Sequence, residues 1–347
     1  MPAARRTRQP PRVAWSLERL HHECAVALGH SVEPATADAY ASHLESYNTF
    51  CSLHNLPLDP TPDTLSFYIV FMSYHILPRS VASYLSGICF HLQVHFPHIE
   101  EVRQSAIVSR TLAGMKKIRG NTPIKRKRPL CQDDLNRIVS ALPNPSYNDR
   151  LFIAMTFTAF FGLLRLGELT LPDCLNKRSA KKIARRYTLT LADTHFSFHL
   201  PYHKGDRFFE GNTVMIQALS NPVLNPVDHV HRYLASRDQQ HPFLYHLWLT
   251  ENGNVPTYSW FVSRLKRILG TDVGGHSLRS GGATHLALTG ASDSTIQALG
   301  RWSSDTWRIY IRRHPVLVHA LLHGRSAFQH PIPSSTTLSS LPSSSRV

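Results

Sequence analysis

The sequence has no Cys-x-x-Cys pair; its five cysteines, Cys24, Cys51, Cys89, Cys131 and Cys174, are scattered and odd in number. That spacing speaks against a disulfide framework and for reduced thiols in an intracellular protein. Although histidines number 22, none falls in a Cys/His ligand pattern at recognised spacing, so no metal site is predicted. No apolar run approaches a membrane span, the stretch FYIVFM at residues 67–72 being far too short, so no membrane partner is expected. The first residues, MPAARRTRQPPR, are basic without a following apolar segment, which argues against a secretion signal. No nucleotide-binding glycine loop is present, and no cofactor is expected. Acidic residues are the scarcest of all relative to their opposites: 23 Asp plus Glu face 38 Lys plus Arg, a formal charge of +15. Such an excess favours a polyanionic partner, with nucleic acid and an anionic membrane surface as the two candidates.

At 347 residues the chain is long enough for two domains. Residues 1–29 read as a basic, largely disordered arm. From residue 30 to 119 the pattern is helical. Tyr40, Leu44, Tyr47 and Cys51 repeat along one helix face. The stretch TPDTLSFYIVFMSY opens with Thr61 as cap, Pro62 in the first turn and Asp63 beside it. Two further helices are predicted from Ser80 and from Val102, giving a small four-helix domain. Residues 120–130, GNTPIKRKRPL, break this pattern with Gly, Pro and the basic run Lys125, Arg126, Lys127 and Arg128. They read as a linker that straps a duplex, serves as a nuclear localisation signal, or is a solvated charge run.

Residues 131–325 change to mixed α+β, mainly helical. LFIAMTFTAFFGLLRLGEL predicts one long apolar helix, and the alternation in RRYTLTLADTHFSFHLPYHKGDRFFEGNTVMI predicts a small antiparallel sheet. Helices are predicted near PVDHVHRYLASR, YSWFVSRLKRIL, SGGATHLALTG, SDSTIQALG and PVLVHALLHG. The tail, residues 326–347, is Ser/Pro-rich and reads as disordered.

Five places carry chemistry. Arg165 follows the most apolar stretch in the chain, where an unpaired guanidinium is costly. Glu168, one turn on, either neutralises it as a structural pair or orients it toward a phosphate. His276 and Arg279 form a His-x-x-Arg at a helix start, a place suited to an anion. Gly274 and Gly275 precede them and Gly281 and Gly282 follow, which would let backbone approach a bulky ligand. Trp302 and Tyr310 lie among Arg301, Arg308, Arg312 and Arg313, a poor composition for a core. A phenol held among guanidiniums has its phenolate form favoured and its nucleophilicity raised. Lys204, on a glycine-bearing turn after a strand, is either an exposed hairpin lysine or a mobile general acid.

In their order, Arg-x-x-Glu, strand-turn Lys, His-x-x-Arg, Trp and Tyr, these elements resemble the tyrosine recombinases of the phage-integrase family. GRWSSD with a following YIR looks most like the recombinases of eukaryotic DIRS/Ngaro-like or Crypton-like mobile elements. The resemblance implies a helical, SAM-like core-binding domain over 30–119 and a catalytic domain of the DNA breaking-rejoining enzyme fold over 131–325. It implies that Arg165 and Arg279 clamp the scissile phosphate, Lys204 protonates the leaving 5′-oxygen, and His276 serves as acid/base partner or phosphate ligand. Trp302 would donate its indole N–H to a phosphate oxygen. Tyr310 would be the nucleophile, and Glu168 would support the first arginine. The Trp302–Tyr310 interval is one residue shorter than in phage and bacterial members, a gap the eukaryotic-element group shares. Lys125, Arg126, Lys127, Arg128 and Arg301 are the expected DNA contacts. The implied partner is double-stranded DNA in the nucleus, bound by a multimer, a tetramer of two dimers during strand exchange.

Two rivals share these residues. A type IB topoisomerase uses similar arginine, lysine and tyrosine groups, and a domesticated, catalytically silent protein would keep the fold and bind DNA without cutting it.

Overall fold

The computed structural model describes residues 12–29, 31–120, 126–202 and 211–308, which form two compact units dividing between Lys125 and Arg126. The first is all-α; the second is mainly helical with a three-stranded antiparallel sheet.

The first unit holds helices α1 (Leu17–Gly29), α2 (Pro34–Leu53), α3 (Pro62–His75), α4 (Pro78–Leu92), α5 (Ile99–Gln104) and α6 (Ala106–Arg119). Thr61 caps α3 as predicted, its hydroxyl accepting the Thr64 N–H at 3.2 Å. The face predicted for α2 is the buried one, with Tyr47 and Cys51 inside and Leu44 packed beside them. α2 packs on α4 and α3 on α6, around Tyr47, Phe50, Tyr68, Ile69, Leu85 and Ile88. Each such side chain contributes roughly 1.5–3 kcal/mol on burial. The hydroxyl of Tyr68 is satisfied by Ser46 at 3.0 Å, so this aromatic adds its area without an orphaned polar tip.

Two expectations are corrected here. Leu17–Gly29 is helical although its surroundings read as disordered; none of its residues is buried, so tertiary packing gave no sequence signal. The helix predicted from Val102 is two helices, because Ser105 is extended (ψ 151°) and breaks the ladder between α5 and α6.

In the second unit α7 (Gln132–Ser140) leads to α8 (Tyr147–Phe161), capped by Ser146 and buried along almost its whole length. An all-round apolar helix belongs at the centre of a core, and α9 (Pro226–Gln240) and α11 (Gly275–Leu288) flank it. Strands β1 (Thr190–Leu191), β2 (His195–Leu200) and β3 (Asn212–Gln217) pair in that order. Phe196, Phe198 and Leu200 point to the core, as do Val214 and Ile216 opposite. Helices α10 (Tyr258–Leu269) and α12 (Asp293–Leu299) and a 3₁₀ turn at Asp305–Trp307 complete the described residues. The helix predicted over PVLVHALLHG lies outside them. Among the described residues no helix is long and apolar enough to cross a membrane.

The predicted long helix through residue 169 is also corrected. α8 stops at Phe161, Gly162 closes it, and Leu163 takes a left-handed conformation at φ 51°. Arg165 therefore sits beyond the helix, where it opens a separate 3₁₀ turn at Leu166–Glu168.

Candidate active site

The reversal at Leu163 decides the geometry. By ending α8 early it turns the Leu163 carbonyl toward two guanidiniums: Arg279 donates to it through Nη1, and Arg301 through Nη2 at 3.4 Å. Arg301 is itself left-handed, at φ 53°. Two non-glycine residues in a sparsely populated conformation thus face each other across hydrogen bonds, a strain that the surrounding contacts must hold.

Arg165 is tied to Glu168 twice. Its backbone N–H reaches Oε2 at 3.0 Å and its Nη1 reaches Oε1 at 3.0 Å. The carboxylate is buried while the Arg165 side chain stays 31% exposed, so the pair aims a charged fork outward. The structural reading of the pair is met by this double tie.

Glu168 has a second cation. Arg301 Nη2 lies 3.6 Å from Oε2. The Arg301 side chain is only 9% exposed and also donates to the carbonyls of Leu299 and Gly162. Burial pulls its pKa below the ordinary arginine range, Glu168 opposing and Arg165 adding to the fall. The expectation that Arg301 touches DNA is corrected: its guanidinium faces inward because a buried carboxylate and three carbonyls need it.

Arg279 lies deepest, at 1% exposure, with donors on the carbonyls of Leu163 and Gly300. Its guanidinium lies over the Trp302 ring, 4.1 Å from the centroid. Trp302 is buried in turn, over Gly300, where a Cβ would stand 1.5 Å from the indole. The two guanidiniums differ in exposure: Arg165 is open to solvent and Arg279 is buried. An unbroken series runs Arg165, Glu168, Arg301, Leu163 carbonyl, Arg279, Trp302.

His276 is exposed in the first turn of α11. Desolvation first, then the charges of Arg279, Arg165 and Arg126, hold its pKa below the ordinary imidazole value. Near neutral pH it is an uncharged ring able to donate through one nitrogen and accept through the other. Three of the four flanking glycines, Gly275, Gly281 and Gly282, do not make room for a ligand, which corrects that reading for them. A Cβ at Gly281 would lie 2.3 Å from the Leu130 carbonyl oxygen, and one at Gly282 2.0 Å from that of Phe160. Gly275 is likewise filled by Leu166 and the Tyr258 hydroxyl. These glycines seat α11 against the protein.

The basic run divides. Lys125 lies outside the described residues. Arg126 is exposed and close enough to act on His276. Lys127 Nζ donates to the Thr271 carbonyl at 2.6 Å, and Arg128 forks onto Asp134 at 2.5 and 2.9 Å while its Nε reaches Asp272 at 2.6 Å. Residues 126–130 are therefore part of the second unit and no free strap. Arg128 N–H bonds the Asp272 carbonyl and Leu130 N–H that of Ser277, both at 3.0 Å. Lys204 and Tyr310 lie outside the described residues.

Sequence reasoning missed the Leu163 carbonyl and Gly300. A left-handed leucine leaves no compositional mark; the glycine directly before Arg301 and Trp302 was the one available signal.

No protein-family model matches the sequence, and no curated protein sequence does. Solved structures match instead. The XerH site-specific recombinase bound to palindromic difH substrate superposes at a TM-score of 0.57, with 17% identity over 82% of this chain and 78% of XerH. The lambda integrase bound to DNA gives 0.52, with 13% identity over 86% of this chain and 96% of that one. The Tn1549 transposon integrase in complex with transposon right end DNA gives 0.50 and 13% identity, over 78% of this chain and 86% of that one. At such low identity it is the backbone that is shared: this chain has the fold of these site-specific recombinases and integrases.

Proposed function

We propose that the chain is a tyrosine recombinase that cleaves and rejoins duplex DNA through a 3′-phosphotyrosyl link, encoded by a mobile element of the eukaryotic DIRS/Ngaro-like or Crypton-like kind. The supporting observation is the series from Arg165 through Glu168, Arg301 and Arg279 to Trp302, with neutral His276 alongside, on a recombinase fold.

Arg165 would meet the scissile phosphate with its exposed edge, held by Glu168. Arg279 would add charge from below, where low polarity makes a fixed cation more effective. His276 would hydrogen-bond a non-bridging oxygen or pass a proton. Tyr310 attacks phosphorus as its phenolic proton passes to His276; the phosphorus–O5′ bond breaks as the tyrosyl–phosphorus bond forms, and Lys204 gives its proton to the departing 5′-oxygen. The return step reverses these events: the 5′-hydroxyl attacks and the phenol leaves. Phosphodiester energy is conserved, so joining needs no nucleotide. Action in the nucleus, as a tetramer of two dimers on paired sites, belongs to the same proposal.

The test is a nicked suicide duplex with purified protein and no added metal, resolved on a denaturing gel. An EDTA-resistant adduct that disappears in Tyr310→Phe is expected. Relaxation of supercoils without exchange between two sites would favour the topoisomerase reading. One observation favours the silent DNA-binding reading, the enclosure of Arg279 among carbonyls. Duplex binding without any adduct would select it.

A further inference from the structure

Between Asp173 and Asp193 the sequence has no acidic residue and six cations: Lys177, Arg178, Lys181, Lys182, Arg185 and Arg186. This stretch begins just past the turn that carries Arg165 and ends at β1. None of the six belongs to the series that runs from Arg165 to Trp302. A charge run of this kind is ordinarily a solvated face, and three features set this one apart.

First, it is pinned. The Arg186 N–H bonds the Tyr245 carbonyl at 2.8 Å and the Leu247 N–H bonds that of Ala184 at 3.0 Å, with Ala184 and Leu189 buried in the core of the second unit. Second, the run holds no acid of its own. Arg186 is matched by Asp238 at 2.6 Å, while Arg178 donates to the carbonyls of Pro172 and Asp173. Lys181 is exposed. Third, aromatic rings are interleaved with the cations. Arg185 lies 4.7 Å over the Tyr245 ring and Lys182 4.0 Å over that of Tyr202; Tyr187 is 78% exposed. Tyr202 lies two residues past the end of β2, so the strip spans from just beyond the Arg165 turn to that strand end.

We infer that residues 177–187 form a second site of grip on the duplex, holding the phosphates that flank the cleaved one. The inference rests on the recombinase reading, since it extends the same positive site along the same substrate. A strip of fixed cations on a rigid support holds phosphates without reading bases, which suits an enzyme that must keep hold of both sides of a break.

The test is the salt dependence of full-length protein binding to a fluorescent duplex. Every phosphate that is no longer neutralised lowers the slope of log affinity against log salt by about 0.9. Lys181→Ala with Arg185→Gln should therefore flatten the slope by the share of about two phosphates, with unfolding midpoint unchanged. Lys181→Glu alone, at an exposed position, should weaken binding further than Lys181→Ala and guards against a folding defect in the double variant. An unchanged slope and affinity in both variants overturns the inference while leaving the recombinase reading standing. A flattening seen with single-stranded but not duplex probe overturns it too. Flattening in the variants, with parental protein that binds duplex yet yields no adduct, supports the strip and sinks the recombinase reading. Parental protein that binds no duplex sinks both.

Discussion

Arg301 Nη2 stands 3.6 Å from Glu168 Oε2, while Arg165 Nη1 holds Oε1 of the same carboxylate. One buried acid thus serves an inward and an outward arginine. Removing the inward one leaves the buried acid with Arg165 alone and takes one donor from each of three carbonyls, of which Leu163 keeps another, from Arg279. Arg301→Ala should cost about 2–4 kcal/mol in urea unfolding. Arg301→Gly should cost about 1 kcal/mol less than Ala, because φ 53° no longer strains the backbone. Equal stability of Arg301→Ala and the parent would show the inward pair to be idle.

Glycines give a graded series. At Gly282 a Cβ would meet a main-chain carbonyl at 2.0 Å, so Gly282→Ala should unseat α11 from α8 and lower stability by about 3 kcal/mol or more. At Gly300 the obstacle is the Trp302 ring, so Gly300→Ala should expel the indole from Arg279 and red-shift its emission. Gly114 in α6 has nothing within 4 Å, and Gly114→Ala should stabilise by roughly 0.5–1 kcal/mol. Denaturation midpoints and tryptophan spectra of the three variants check this order.

The first unit has a built-in acid sensitivity. His43 is buried, stacks on Tyr84 at 4.1 Å, and its Nδ1 has no hydrogen-bond partner. Burial lowers its pKa, so the unfolded chain takes up a proton first as pH falls below about 6.5. The stabilisation is fully present above that value and declines as pH drops toward the folded-state pKa. His43→Gln should flatten the decline in melting temperature between about pH 7 and 5; an unaltered pH profile would exonerate this histidine.

His276 should titrate below ordinary imidazole by NMR. Arg165→Ala removes one of the cations that depress it, so the His276 pKa should rise in that variant. A fall, or no movement, would separate the two residues electrostatically.

The sequence made the Arg165–Glu168 pair legible because a spacing of three residues lets a carboxylate fold back on the arginine before it. The strands were legible for the same kind of reason, alternation at Phe196, Phe198 and Leu200. What stayed hidden depends on partners distant in the chain. Arg301 reads as a surface cation until Glu168 is placed beside it. Gly281 and Gly282 read as room for a ligand until the carbonyls of Leu130 and Phe160 fill that room. The end of α8 is invisible because Leu163 is an ordinary helix former whose left-handed turn is imposed by Arg279 and Arg301.

Arg128 joins Asp134 to Asp272, and two residues later Leu130 bonds the carbonyl of Ser277. Mechanically, the start of the second unit and the base of the helix bearing His276 and Arg279 move as one piece. A load pulling on the backbone at Arg126 would pass through these bonds to those side chains, so tension there would change their aim.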